Sequence, residues 1–125
     1  MRREEDKRSG PHWRAILEAR WRIRLQEVTE LSAAYHAAAA DTFSGIEDGR
    51  ARLLLRRAID ARQRLADTEE ALGRLAAGGY GRCEQCGAVI PEAVLAAAPE
   101  SRYCAGCAAG DAAGAAAAGA AAGPR

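Results

Sequence analysis

Apolar residues recur along the first half of the chain at helical spacing. From Pro11 onward, Leu17, Trp21, Val28, Leu31, Tyr35 and Ala38 fall three, four or seven places apart, with Arg and Glu at most positions between them. Pro11 suits the first turn of a helix, where its missing N–H costs nothing. A second run follows: Leu54, Ala58, Ala61, Leu65, Thr68, Leu72 and Leu75 alternate steps of four and three, the spacing of a coiled-coil seam. Gly78-Gly79 is its expected stop.

The two runs match each other when one is folded back on the other. Pairing Leu17 with Leu75, Trp21 with Leu72, Val28 with Leu65, Leu31 with Ala61 and Tyr35 with Ala58 gives residue numbers that sum to 92 or 93 throughout. An antiparallel hairpin bending near residue 46 is the architecture that satisfies this. Thr42-Phe43-Ser44-Gly45 and Asp48-Gly49 supply turn residues, and Ser44-x-x-Glu47 has the form of a capping box for the second helix. From the bend to Leu75 the arm is about 45 Å long, at about 1.5 Å per helical residue.

Composition agrees with a narrow seam. The hydrophobic share is 49%, but Ala supplies much of it and aromatic residues are only 5%, so there is little large apolar surface for a globular core. The expected fold is all-α: a long coiled-coil hairpin with a small metal-stapled knob at its base. The expected organisation is a charged, disordered N-terminus over 1–10, the hairpin over 11–79 with its tip at about 41–50, a four-cysteine finger over 80–109, and a disordered Ala/Gly-rich tail over 110–125.

Charge changes the picture only locally. With 18 basic and 17 acidic residues the net charge is +1, without the excess of a chain that coats nucleic acid. Residues 31 to 49 contain three carboxylates and no Lys or Arg, whereas Arg50, Arg52, Arg56, Arg57, Arg62 and Arg64 follow at once. An acidic tip on a basic stem is the result, and exposed Leu53 and Leu55 beside the seam offer a surface through which two hairpins can pair. No apolar run is long enough to cross a bilayer and no secretion signal opens the chain, so a cytoplasmic protein is expected.

The chemistry lies in four cysteines. Cys83-x2-Cys86 and Cys104-x2-Cys107, seventeen residues apart, have the spacing of a four-cysteine zinc site. Each Cys-x-x-Cys turn aims two thiolates at one point, and Gly87 lets the backbone turn tightly after Cys86. A redox dithiol does not need a matched second pair, and iron–sulfur ligation, allowed by the count alone, is less suited to two-plus-two knuckles than zinc. Four protein ligands leave zinc no open position for water or substrate, so one structural Zn2+ and no catalysis are expected. His12 and His36, at opposite ends of the first helix, have no ligand partners.

The stretch Gly79-Tyr80-Gly81-Arg82-Cys83-Glu84-Gln85-Cys86-Gly87-Ala88-Val89-Ile90-Pro91, with Leu95, Pro99 and Tyr103-Cys104-Ala105-Gly106-Cys107, resembles the bacterial DksA/TraR zinc-finger family. That resemblance implies a transcription regulator that binds RNA polymerase, its hairpin entering the secondary channel with an acidic tip near the active site, often together with guanosine tetraphosphate. It implies no sequence-specific DNA binding. The family's tip string Asp-x-x-Asp-x-Ala does not occur between Asp41 and Ala51; Asp41, Glu47, Asp48 and Ala51 stand in its place. The Arg residues the family tends to carry in the finger are replaced by Val94 before Leu95 and Ala98 before Pro99, and Ala108 follows Cys107. Guanosine tetraphosphate is therefore not expected to bind at the finger, since its pyrophosphate needs cations. The competing expectation is a zinc-ribbon adaptor that binds nucleic acid or another protein through the Arg-rich helix.

Overall fold

The computed structural model describes residues 11–42 and 48–109. Helix α1 runs Pro11–Thr42 and helix α2 runs Asp48–Ala77, packed against each other as a hairpin; a short helix α3, Glu92–Ala97, belongs to the finger that follows. At about 1.5 Å per residue the 30 residues of α2 span about 45 Å. The expected bend at Phe43 to Glu47, its capping box and both chain ends lie outside the described residues, as does the side chain of Asp48.

The seam buries the predicted residues. Leu17, Ala38, Ala58, Ala61 and Thr68 are buried, and Trp21, Val28, Leu31, Tyr35, Leu54, Leu65, Leu72 and Leu75 are half-buried. The buried residues of the distal half are alanines, Ala38, Ala51, Ala58 and Ala61, and the larger buried groups gather at the base. Polar bonds across the seam are antiparallel too. Trp21 Nε1 donates to Glu69 Oε2 at 3.0 Å, and Arg64 lies 3.4 Å from Glu27.

Helix α2 stops through a double backbone bond at its end. Gly79 N–H reaches the Arg74 carbonyl at 2.8 Å and Gly78 N–H the Leu75 carbonyl at 3.2 Å, closing a Schellman motif. Gly78 sits at φ +90°, where a Cβ would meet the neighbouring carbonyl. The chain is thereby turned back toward the hairpin base.

At that base lies the one large apolar cluster among the described residues: Trp13 and Leu17 from α1, Ala71 from α2, and Tyr80, Ile90 and Leu95 from the finger. Trp13 is only 1% exposed, and its ring centroid lies 5.7 Å from that of Tyr80. The knob is thus not a bead on a string. Its apolar side completes the core that the thin arm lacks, each large side chain buried there contributing about 1.5–3 kcal/mol.

Candidate metal centre

The first knuckle is a tight backbone hairpin. Cys83 N–H bonds the Ala88 carbonyl at 2.8 Å, Gly87 N–H the Cys83 carbonyl at 2.9 Å, and Ile90 N–H the Gly81 carbonyl at 2.7 Å, with Arg82 and Val89 bridged antiparallel. Gly87 adopts φ +79°, the left-handed conformation expected of it. This turn brings two amides onto sulfur: Gln85 N–H and Cys86 N–H lie 3.4 and 3.5 Å from Cys83 Sγ. The second knuckle is closed by the Ala108 N–H on the Cys104 carbonyl at 2.8 Å. Glu84 N–H donates to the Arg102 carbonyl at 2.8 Å and ties the two knuckles side by side.

The four sulfurs converge as a result. Cys83, Cys86, Cys104 and Cys107 place their Sγ atoms within 4.8 Å of one another, and Cys86 Sγ to Cys104 Sγ is 3.8 Å. A tetrahedral ZnS4 centre with bonds of about 2.3 Å needs sulfurs about 3.8 Å apart, so the donor set fits zinc in number, type and spacing.

Ionisation of the thiols points the same way. Burial acts to raise the Cys83 thiol, but backbone N–H groups outweigh it and bring the group down to about 6. Cys107 moves oppositely: hydrogen bonding to Cys104, Cys83 and Cys86 pushes it up to about 12. One thiolate is stabilised by the fold and the next is opposed by its neighbours. A dication at the centre relieves that repulsion, and it makes metal uptake a proton-releasing step.

The finger is joined to the hairpin by a carboxylate that the sequence pattern does not single out. Glu100 accepts two hydrogen bonds from Arg20 of α1, from Nε at 2.8 Å and from the terminal NH2 at 3.0 Å. It also accepts from the hydroxyl of Thr68 on α2 at 2.7 Å. That hydroxyl has a single proton, and the charged acceptor at 2.7 Å takes it in preference to the Arg64 carbonyl at 3.1 Å. Burial acts to raise the Glu100 carboxyl, but its bonds to Arg20 and Thr68 prevail and hold it below the ordinary range.

Around this clasp, Arg74 donates to the Glu100 and Ser101 carbonyls at 3.3 Å and lies 3.6 Å from Glu84. Arg102 pairs with Glu70 and Glu84. Tyr80 donates to the Pro99 carbonyl at 2.8 Å, and burial, reinforced by the Glu100 charge, pushes its hydroxyl up to about 12. Both helices are thereby held to the segment between the knuckles. One signal of this was present in the sequence: Thr68 is a polar residue in an apolar seam, and a buried hydroxyl needs a partner.

The remaining expected site residues are not brought to the metal. Asp41 is exposed in the last turn of α1 and Ala51 is buried in the first turns of α2, at the far end of the arm. Glu47 and the side chain of Asp48 lie outside the described residues. His12 and His36 are exposed, each against its neighbouring ring, Trp13 and Tyr35. No described helix is long and apolar enough to cross a membrane.

Three comparisons with known proteins bear on this chain. A protein of uncharacterised function from Aquifex aeolicus (strain VF5) is 50% identical over 44 residues, which are 35% of this chain and 30% of that protein's length. The solved structure of transcription factor DksA2 from Pseudomonas aeruginosa aligns at 21% identity and a TM-score of 0.49, covering 76% of this chain and 79% of that one. The model of the prokaryotic dksA/traR C4-type zinc finger matches residues 78–111, the segment that holds all four cysteines and Glu100. With its sulfurs spaced for one structural Zn2+, that segment is a dksA/traR-type C4 zinc finger.

Proposed function

We propose that this protein is a transcription regulator that binds RNA polymerase, with its hairpin inserted in the secondary channel and its finger held outside. Asp41, Glu47, Asp48 and Ala51 form the working tip, and zinc on Cys83, Cys86, Cys104 and Cys107 fixes the knob. The observation that carries this reading is a DksA/TraR-type finger clasped through Glu100 to the base of an arm about 45 Å long. Such an arm reaches far from its anchoring surface while burying little, as entry into a channel requires. Carboxylates at its end suit a site built around hard cations, which prefer oxygen ligands. In this reading 11–79 is the inserted hairpin, 80–109 the anchoring finger, and 1–10 and 110–125 are accessory.

The test is retention of core RNA polymerase by the zinc-loaded protein, with transcription measured on the captured complex. Wild type and Asp41→Ala/Glu47→Ala/Asp48→Ala are both expected to bind, and only wild type to change initiation. Absence of binding by wild type overturns the proposal.

A second reading has one observation in its favour: Arg50, Arg52, Arg56, Arg57 and Arg62 are all exposed on α2, as an adaptor for nucleic acid requires. Polymerase-independent duplex binding that weakens steeply with salt is its signature.

A further inference from the structure

Helix α2 carries a second stripe at coiled-coil spacing, beside the seam and exposed along its length. Leu55, Ile59, Arg62, Ala66, Glu69 and Gly73 alternate steps of four and three and share one flank of the helix. Ile59 is 56% exposed and Leu55 39%, and both border a groove of about 310 Å³ shared with Ser32, Tyr35 and His36 of α1. Leu25, 40% exposed, continues this flank on α1 at about the height of Ala66. Leu53 lies on the opposite flank of α2, one turn before Arg57, which lines the other side of the hairpin with Glu27, Glu30 and Asp60. The two exposed leucines therefore belong to different surfaces.

Charge on the stripe runs from basic to acidic. Arg52 stands at its start and Glu69 near its end, and both are exposed. Trp21 Nε1 donates to one oxygen of Glu69 at 3.0 Å and so holds that carboxylate in place. A second copy laid antiparallel complements this order. In the register whose facing residue numbers sum to 121, Leu55 covers Ala66 and Leu25 of the second copy, and Ile59 lies along the aliphatic stem of its Arg62. Arg52 then meets Glu69 of the second copy, and every contact occurs twice about the two-fold axis. A parallel pair sets Arg52 against Arg52 and Glu69 against Glu69, which disfavours it.

From this we infer that the Leu55–Ile59 flank is a self-association surface, on which two copies of this chain pair antiparallel with Arg52 of each against Glu69 of the other. The interface is small and its ion pairs are exposed, so a dissociation constant on the order of 10 µM is expected. One consequence rests on the proposed function. Over residues 52–69, about 27 Å of stem, four helices replace two, and a paired hairpin is too thick for a channel that admits a single one. Self-association therefore opposes polymerase binding, and the enzyme takes up the monomer.

Sedimentation equilibrium of the full-length zinc-loaded protein, from about 1 to 500 µM, reads the association itself. A monomer–dimer equilibrium is expected, and Ile59→Arg, which sets like charge against Arg62, should weaken it at least about tenfold. Leu53→Arg, on the opposite flank, should leave it unchanged. Arg52→Glu should weaken pairing, and Arg52→Glu/Glu69→Arg should restore it. Circular dichroism of each variant controls for helix content, which exposed substitutions should preserve.

A monomer throughout that range overturns the inference, as does sensitivity at position 53 equal to that at position 59. Failure of the double exchange to restore pairing overturns the antiparallel register. With core RNA polymerase added where the free protein is paired, one hairpin per enzyme is expected. Two per enzyme overturns the exclusion of the pair from the channel. No bound hairpin, with the free protein still paired, overturns the proposed function and leaves self-association standing.

Discussion

Removing the Glu100 carboxylate should loosen the finger from the hairpin without touching a cysteine. Glu100 makes three charge-assisted hydrogen bonds, at 2.7, 2.8 and 3.0 Å, to groups on two helices. Its side chain is 16% exposed and that of Arg20 34%, so Arg20 retains water as a partial substitute and the pair is discounted accordingly. Bonds to charged groups contribute about 1.5–3 kcal/mol each in isolation and do not add when they share one carboxylate. Glu100→Ala is therefore expected to cost about 2–3 kcal/mol, the larger part from the two bonds to Arg20, since the Thr68 hydroxyl can turn to the Arg64 carbonyl at 3.1 Å. For a structured unit of this size that lowers Tm by about 10–20 °C.

Thermal unfolding followed by circular dichroism in excess zinc measures this directly. A cycle of Glu100→Ala, Arg20→Ala and the double variant should return a coupling of about 1–2 kcal/mol. The effect also has a pH window. Glu100 has a folded pKa below its ordinary 4.5, so its contribution is present above that value and is lost as pH falls through the folded pKa. The stability gap between wild type and Glu100→Gln should accordingly be full at neutral pH and shrink below about 4.5. Coupling under about 0.5 kcal/mol, or a gap that widens in acid, refutes the reasoning.

Metal analysis should find one Zn2+ per chain, and removal of it by a chelator, or Cys83→Ser, should unfold residues 80–109 while leaving much of the helical signal of α1 and α2. Two glycines in and after α2 should respond oppositely to Ala: Gly73→Ala, in the helix with nothing within 4 Å of the added Cβ, should stabilise by about 0.5–1 kcal/mol. Gly78→Ala, at φ +90°, should destabilise by about 1–2 kcal/mol, and thermal denaturation of the pair reads both signs. Calorimetric titration of the isolated protein with guanosine tetraphosphate should show no binding at the finger, because Val94, Ala98 and Ala108 present no cation there; saturable binding lost on substituting Arg82 or Arg102 contradicts this.

The hairpin was legible because a seam is a one-dimensional signal: a residue sum near 92 and a Gly-Gly stop define which helix faces which and where the second one ends. The metal centre was legible for a similar reason, since two Cys-x-x-Cys turns encode their own geometry locally. The clasp was not. Arg20, Thr68 and Glu100 meet across 80 residues; Thr68 stands out as a polar residue in an apolar seam, but Arg20 and Glu100 are ordinary for a helix face and a loop, so nothing names its partner. Trp13 was overlooked in the same way: it precedes the seam, and its importance comes from Tyr80, Ile90 and Leu95 folding back over it. On α1, Ile23 and Leu25 are apolar yet 62% and 40% exposed, in keeping with the seam spacing, which passes over both.

The central claim, an arm that reaches into polymerase while the finger stays outside, is tested most directly by photo-crosslinking. A photoreactive residue is placed at Asp41 near the tip or at Val89, 52% exposed on the finger, and the zinc-loaded protein is bound to core RNA polymerase before irradiation and mapping of the adducts. The account predicts adducts from position 41 on segments lining the catalytic centre and from position 89 on the outer rim of the channel. Adducts from both positions on the polymerase exterior, or from 89 alone, contradict it.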